Sequence, residues 1–230
     1  MFYEYSIFYF LISIFNLPPC LAIRFYTWFT ISYMSFFRDI ELLYEIGSLR
    51  NVPRGWRQHL GMDCASDLEH TVRVAYLALI IARHEGVTDE AKILKMALVH
   101  DMPETRVSDH GIVQKVYVTN INEIQAARDM FDQTTVADFV DVFEEFEDRE
   151  CLEAKIVKDA DNLDINFELK ELEEQGSKMN EKWQKFRRLV RDEKLYTETA
   201  KQMWDEIQIS DPSSWHMVMN KWVKIPDAGK

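Results

Sequence analysis

Cysteine is scarce and scattered: the 230-residue chain carries three, at Cys20, Cys64 and Cys151, with no Cys-x-x-Cys pair. That odd, dispersed set excludes a disulfide framework, a cysteine zinc knuckle and a dithiol redox motif, and it suits a reducing, cytoplasmic setting. Seven glycines and six prolines are too few for a collagen-like, linker-rich or many-turned all-β chain. Basic charge is in deficit, with 27 Lys and Arg against 39 Asp and Glu and a formal net charge of −12. No broad cationic surface is therefore available for duplex nucleic acid, and a small anion has to be met by a local cationic pocket.

What remains is 47% hydrophobic and 29% charged, the balance of one globular domain with an appendage. The appendage is residues 1–37, which hold a single acid (Glu4) and a single base (Arg24) among many Phe, Tyr, Ile and Leu. Its uncharged run 5–23 approaches the ~20 residues that span a bilayer, but Pro18, Pro19 and Asn16 interrupt it. A signal peptide is poorly supported, since Glu4 precedes the apolar run and no small-residue cleavage site follows it. Three readings stand: an artefactual or loose extension with translation starting at Met34, a membrane anchor, or a packed helix. Membrane contact is expected only through this segment. The expected domain is 38–206, followed by a tail over 207–230 with Trp215, Met217, Met219 and Trp222, to which no chemistry is assigned.

The spacing of apolar residues predicts helices throughout and no convincing alternating strand. A short helix over 38–47 ends at Gly47, and 48–66, with Pro53, Gly55, Trp56 and Gly61, reads as a long loop of the kind that lines a site. Over 68–83, Leu68, Val72, Ala75, Leu79 and Ala82 form one row and Val74, Leu77 and Ile81 its neighbour, which predicts a central buried helix. A helix over 89–101 is expected after Thr88 as N-cap, stacking Ile93, Leu94, Ala97 and Leu98 and stopping near Pro103. Further helices are expected over 120–131, 134–147, 150–175 and, with breaks, 180–206. The acidic run 144–150 reads as a solvated helix face with Phe146 turned inward.

A single His-Asp dipeptide proves nothing, but His100-Asp101 ends an apolar helix, where both side chains can lean toward one point. His70 is a second imidazole on a helix predicted to be buried. The segment Lys158-Asp159-Ala160-Asp161-Asn162-Leu163-Asp164 places acids within an otherwise apolar helix, and buried carboxylates need a cation or close hydrogen bonds. Periodicity leaves Asp159 and Asp161 equally able to face inward. Two neutral imidazoles and two carboxylates suit Mn²⁺, Fe²⁺, Co²⁺ or Zn²⁺ better than Mg²⁺, which prefers oxygen.

The order LEHTVRVAYLALIIA, LVHDMPE, IVKDADNLD resembles the HD-domain metal-dependent phosphohydrolases, nearest the branch containing the bacterial 5'-deoxynucleotidases. The resemblance runs over about 38–206. It implies an all-α HD-domain helical bundle, a homodimer, a nucleotide substrate, and a divalent metal held by His70, His100, Asp101 and Asp161. It also matches Glu104 and Asp109 to catalytic acids, Glu104 orienting or deprotonating water and Asp109, if its pKa is raised, protonating the leaving oxygen. The family's loop tryptophan matches Trp56. Departures accompany it: Gly55 separates Arg54 from Trp56, leaving Arg54 as a candidate phosphate ligand, while Ser108 replaces the usual Gly and Thr71 the usual Ser. Lys115 and Arg106 are further candidate cations for the substrate. The competing expectations are an HD hydrolase of another phosphorylated metabolite or nucleotide, and a non-catalytic helical binding protein stapled by its metal.

Overall fold

The computed structural model describes residues 36–61, 63–118 and 121–217. The chain divides into two compact units, Met1–Glu41 and Leu42–Lys230. Of the first, residues 36–41 are described and begin helix α1 (Phe37–Ser48). The readings of residues 1–37, and those of Cys20, Met219 and Trp222, lie wholly or almost wholly outside the described residues. Among the described residues no helix is long and apolar enough to cross a membrane.

The second unit is helical, as expected. After a 3-10 turn (Leu49–Asn51) come α2 (Arg57–Leu60), α3 (Asp67–His84), α4 (Glu90–Val99), α5 (Glu104–Val107), α6 (Ile112–Lys115) and α7 (Glu123–Phe131). They are followed by α8 (Phe139–Asp148), α9 (Leu152–Glu174), α10 (Met179–Glu193), α11 (Glu198–Ile209) and α12 (Ser214–Met217). The described residues contain no strand, only one isolated bridge between Pro53 and Ser66 that pins the long loop at its two ends.

Helix α3 starts where it does because Ser66 and Glu69 form a capping box: the Ser66 side chain accepts from the Glu69 N–H, and the Glu69 carboxylate accepts from the Ser66 N–H at 2.7 Å. That start fixes His70 in the first turn. Helix α9 is the hub of the unit, packing on α3, α4, α8, α10 and α11. Its Ile156, Val157, Ala160 and Leu163 meet Val74, Leu77 and Ile81 of α3 and Ile93, Met96 and Ala97 of α4 in one apolar core. A second core gathers Leu42, Leu49, Val99, Met102, Met130, Phe131 and Phe143. The first core holds α3, α4 and α9 against one another, and these helices carry the candidate ligands, while the second ties the end of α4 to α7 and α8.

Several local expectations change. The buried row of α3 is Asp67, His70, Thr71, Val74, Leu77, Ala78, Ile81 and Ala82, while Val72, Tyr76 and Ile80 face outward. The helix is thus central on one side only; its apolar width exceeds what the bundle covers. In α4 the buried residues are Ile93, Met96, Ala97 and Val99, with Leu94 and Leu98 exposed, and the N-cap is Asp89 rather than Thr88, accepting from Lys92 N–H at 3.0 Å. The acidic run behaves as predicted: Phe146 is buried, and Glu144 and Glu145 pair with Arg128 and Lys92 at the surface.

Candidate metal centre and substrate cavity

Three helices converge on one point. His70 comes from the first turn of α3, His100 caps the end of α4 with Asp101 just beyond it, and Asp161 lies on α9. One ligand atom from each of the four lies within 4.8 Å of all the others. The two imidazole Nε2 atoms are 3.3 Å apart, and His70 Nε2 is 3.4 Å from Asp101 and 3.2 Å from Asp161. Asp159, on the same helix, faces away. Its carboxylate accepts from the backbone N–H groups of Tyr196 and Thr197 at 2.7 and 2.8 Å and from the Thr197 hydroxyl at 2.8 Å, tying α9 to the start of α11.

The donor chemistry fits a divalent ion. His100 Nδ1 lies 2.8 Å from the Ala97 carbonyl, an acceptor only, so Nδ1 is the donor there and Nε2 is the ring nitrogen turned toward the cluster. His70 Nδ1 lies 2.7 Å from Asp164, which likewise directs its Nε2 toward the cluster. Asp164 is itself gripped by Arg73, a carboxylate–imidazole arrangement that orients a metal-binding histidine. Burial opposes ionisation of Asp161, but Lys158 at 2.6 Å and His70 hold its pKa well below the usual carboxylate range. Asp101 is lowered in the same way, with His100 and His70 overcoming its burial. Around His70, burial and Arg54 oppose protonation, yet hydrogen bonds to Asp101, Asp161 and Asp164 raise its pKa well above the ordinary value.

A second group of acids lies beside the first: Asp67, Glu104 and Asp109 also bring one carboxylate oxygen each within 4.8 Å of the others. Burial, reinforced by Asp101, Asp109 and Asp67, pushes Glu104 up to about 12, so its carboxyl is neutral at pH 7 in the metal-free chain. Arg54 stands among these acids, 3.2 Å from Asp67, 3.1 Å from Asp101 and 3.5 Å from Asp109.

The glycine between Arg54 and Trp56 has a steric cause. A Cβ on Gly55 would sit 2.4 Å from the Gly111 nitrogen and 2.9 Å from the His110 carbonyl carbon, so only glycine lets this loop close on 109–111. The Gly55 N–H then donates to Asp109 at 2.8 Å. Ser108 stands where the family resemblance expects Gly, and it adopts φ 66° and ψ 152°, a conformation almost reserved for glycine. Ser108→Gly is expected to raise stability by about 1 kcal/mol or more, read as a higher denaturation midpoint; an unchanged midpoint contradicts the strain.

A cavity of about 490 Å³ opens beside the cluster, lined by Arg54, Trp56, Asp109, Lys115 and Asp161. Arg106 does not join it; its guanidinium pairs with Glu45, with Nη2 to Oε2 at 3.0 Å. Sequence reasoning missed the opposite wall, which α10 supplies as Trp183, Phe186 and Arg187. Their i, i+3, i+4 spacing put them on one helix face, but nothing in the sequence said which way that face looks. Trp183 meets Trp56 edge-on, with ring centroids 6.2 Å apart. Also missed was Asp67, three residues before His70, and Asp164, though counted among the acids of its apolar helix, was not assigned as the partner of His70.

An all-helical unit that presents a histidine, a His-Asp pair and a later aspartate at one point has the architecture of an HD domain. A model of the family described as HD domain matches residues 46–204, and the chain belongs to that family. It is 28% identical over 156 residues to a 5'-deoxynucleotidase HDDC2 of Dictyostelium discoideum, covering 62% of this chain and 82% of that protein. The zebrafish (Danio rerio) 5'-deoxynucleotidase HDDC2 is 28% identical over 143 residues, covering 59% and 70%. Among solved structures, a conserved hypothetical protein of Pyrococcus furiosus matches with TM-score 0.63 and 27% identity over 74% of this chain and 99% of that one. A predicted metal-dependent phosphohydrolase of Magnetospirillum magnetotacticum shares the fold, with TM-score 0.55 and 18% identity over 76% and 93%.

Proposed function

We propose that this HD-domain phosphohydrolase releases the 5'-phosphate of deoxyribonucleoside monophosphates with a divalent ion held by His70, His100, Asp101 and Asp161. The observation that carries the reading is the mutual approach of those four side chains, two imidazole nitrogens and two carboxylates within 4.8 Å, from three helices. The relatives named 5'-deoxynucleotidase supply the substrate class. The mixed nitrogen and oxygen set favours Mn²⁺, Co²⁺, Fe²⁺ or Zn²⁺ over Mg²⁺.

A bound divalent ion supplies Lewis-acid polarisation of a phosphate oxygen and a lowered pKa for the attacking water. The chain does the rest. Asp164 and the Ala97 carbonyl hold the imidazoles in the required tautomer. Glu104 is protonated in the metal-free chain; a positive charge beside Asp101 works against that proton, so Glu104 serves as water-orienting base only in the loaded protein. Asp109, fixed by the Gly55 N–H and Arg54 in the manner of a carboxylate, faces the cavity as the second acid of the proposed reaction and can protonate the leaving oxygen only after taking up a proton itself. Arg54 and Lys115 offer charge to the phosphate, and Trp56 packs on the sugar where a 2'-hydroxyl is disfavoured. The cavity's 490 Å³ suits one mononucleotide. Homodimer assembly belongs to the proposal, supported by the exposed apolar stripe Val72, Tyr76 and Ile80 on α3.

Purified protein loaded with Mn²⁺ or Co²⁺ is expected to release phosphate from dAMP, dGMP or dTMP faster than from the matching ribonucleotides. Release from another phosphorylated metabolite alone would move the substrate, and no release from any member of a phosphoester panel would leave a metal-stapled binding protein.

A further inference from the structure

Among the described residues, Arg187 is the one Lys or Arg that is buried, with 6% of its surface exposed. Its guanidinium donates to Asn166 Oδ1 through Nε at 3.2 Å and to the Asn162 carbonyl through Nη2. Both partners are neutral, and Nη1 has no hydrogen-bond partner among the described residues. Burial draws its pKa down to about 10 against the opposing pull of the Asp161 carboxylate, which still leaves a cation at neutral pH. The Asp161 carboxylate acts on it through space but forms no ion pair with it, and a buried cation bonded only to neutral groups is costly unless an anion completes it.

The surroundings show what completes it. Arg187 lines the cavity beside the metal cluster, and Asn162, to which it is bonded, follows Asp161 directly on α9. The other cations at that end are compensated: Arg54 by Asp67 and Asp101, and Lys158 by Asp161. Lys115 and Lys182, also on the cavity wall, are exposed and solvated. A planar guanidinium held by two fixed acceptors, with one nitrogen left over, is pre-organised for a phosphate oxygen. We propose that Arg187 is a substrate-binding residue whose Nη1 takes the phosphate of the phosphomonoester, making α10 part of the anion site. This rests on the phosphoester reading above and adds to it a residue that the sequence motifs do not contain.

The bland alternative is that Arg187 only staples α10 to α9. In Mn²⁺-loaded full-length protein, Arg187→Gln is expected to raise both KM for dAMP and the inhibition constant for inorganic phosphate by about tenfold or more, the scale of a charged hydrogen bond. Metal content is expected to stay at the wild-type level, kcat to change little, and Arg187→Lys to recover most of the phosphate affinity. A lower melting temperature with unchanged KM and phosphate inhibition overturns the proposal. Should the Gln variant not fold, phenylglyoxal labelling of the wild-type protein decides, read by peptide mass spectrometry. Protection of Arg187 by inorganic phosphate is the expected result, and equal labelling with and without phosphate overturns it. That readout needs no turnover, so failure of the enzymatic reading and failure of the Arg187 assignment remain distinct.

Discussion

Asp161→Ala is expected to lose metal and phosphate release together while the metal-free fold keeps its stability, and Asp159→Ala is expected to do the reverse. The two aspartates are two residues apart on α9, yet their partners differ in kind. Asp161 points at His70 Nε2, and removing it leaves behind a half-exposed Lys158 that water can solvate. Asp159 satisfies two backbone N–H groups and a hydroxyl at the junction with α11. Stranding buried donors costs about 1–3 kcal/mol apiece, so Asp159→Ala should cost roughly 3 kcal/mol or more and lower Tm by about 10 °C. Metal content by atomic emission and thermal melting, run on both variants, separate the roles. Loss of metal in Asp159→Ala with retention in Asp161→Ala would exchange the ligand assignment.

Glu104→Gln is expected to leave metal bound and cut turnover by about 10²-fold or more, the scale of a positioned acid–base group. The same substitution carries a stability signature. Burial and its acidic neighbours raise the pKa of Glu104 from an ordinary 4.5 to about 12 in the folded chain. Folding therefore takes up a proton between those values, and metal-free stability falls as pH rises through that interval. Glutamine mimics the neutral carboxyl and removes the slope, so metal-free Glu104→Gln should melt above wild type at pH 8 and close to it at pH 4.5. Equal melting at both pH values would contradict the buried neutral carboxyl, and near-normal turnover would make Glu104 structural.

The helical class and most helix positions were legible because few breakers and clear apolar rows leave little choice. What periodicity could not decide was orientation: Asp159 and Asp161 both continued apolar rows, and only the packing of α9 against α11 on one side and α3 on the other separates them. Val72, Leu94 and Leu98 looked like core because hydrophobicity marks what can be buried, while the bundle covers only part of it. His100 and Asp101 were readable from their place at a helix end. Asp67 was not, since a surface acid and a buried one look alike in a sequence with 39 of them, and Asp164, though marked as an acid on an apolar helix, carried no sign that His70 is its partner. The α10 wall was invisible for a different reason: Trp183 and Arg187 reach the cavity through long-range packing that no local pattern encodes. Gly55 and Ser108 read as departures from a motif until backbone geometry explained the first as a close approach and the second as strain.

The central claim is that two imidazoles and two carboxylates share one cation, and X-ray absorption at the cobalt edge of Co²⁺-loaded full-length protein tests it most directly. The account predicts imidazole scattering from two histidines per ion at this site, falling to one in His70→Ala. A cobalt shell of oxygen alone, or one unchanged by His70→Ala, would contradict it.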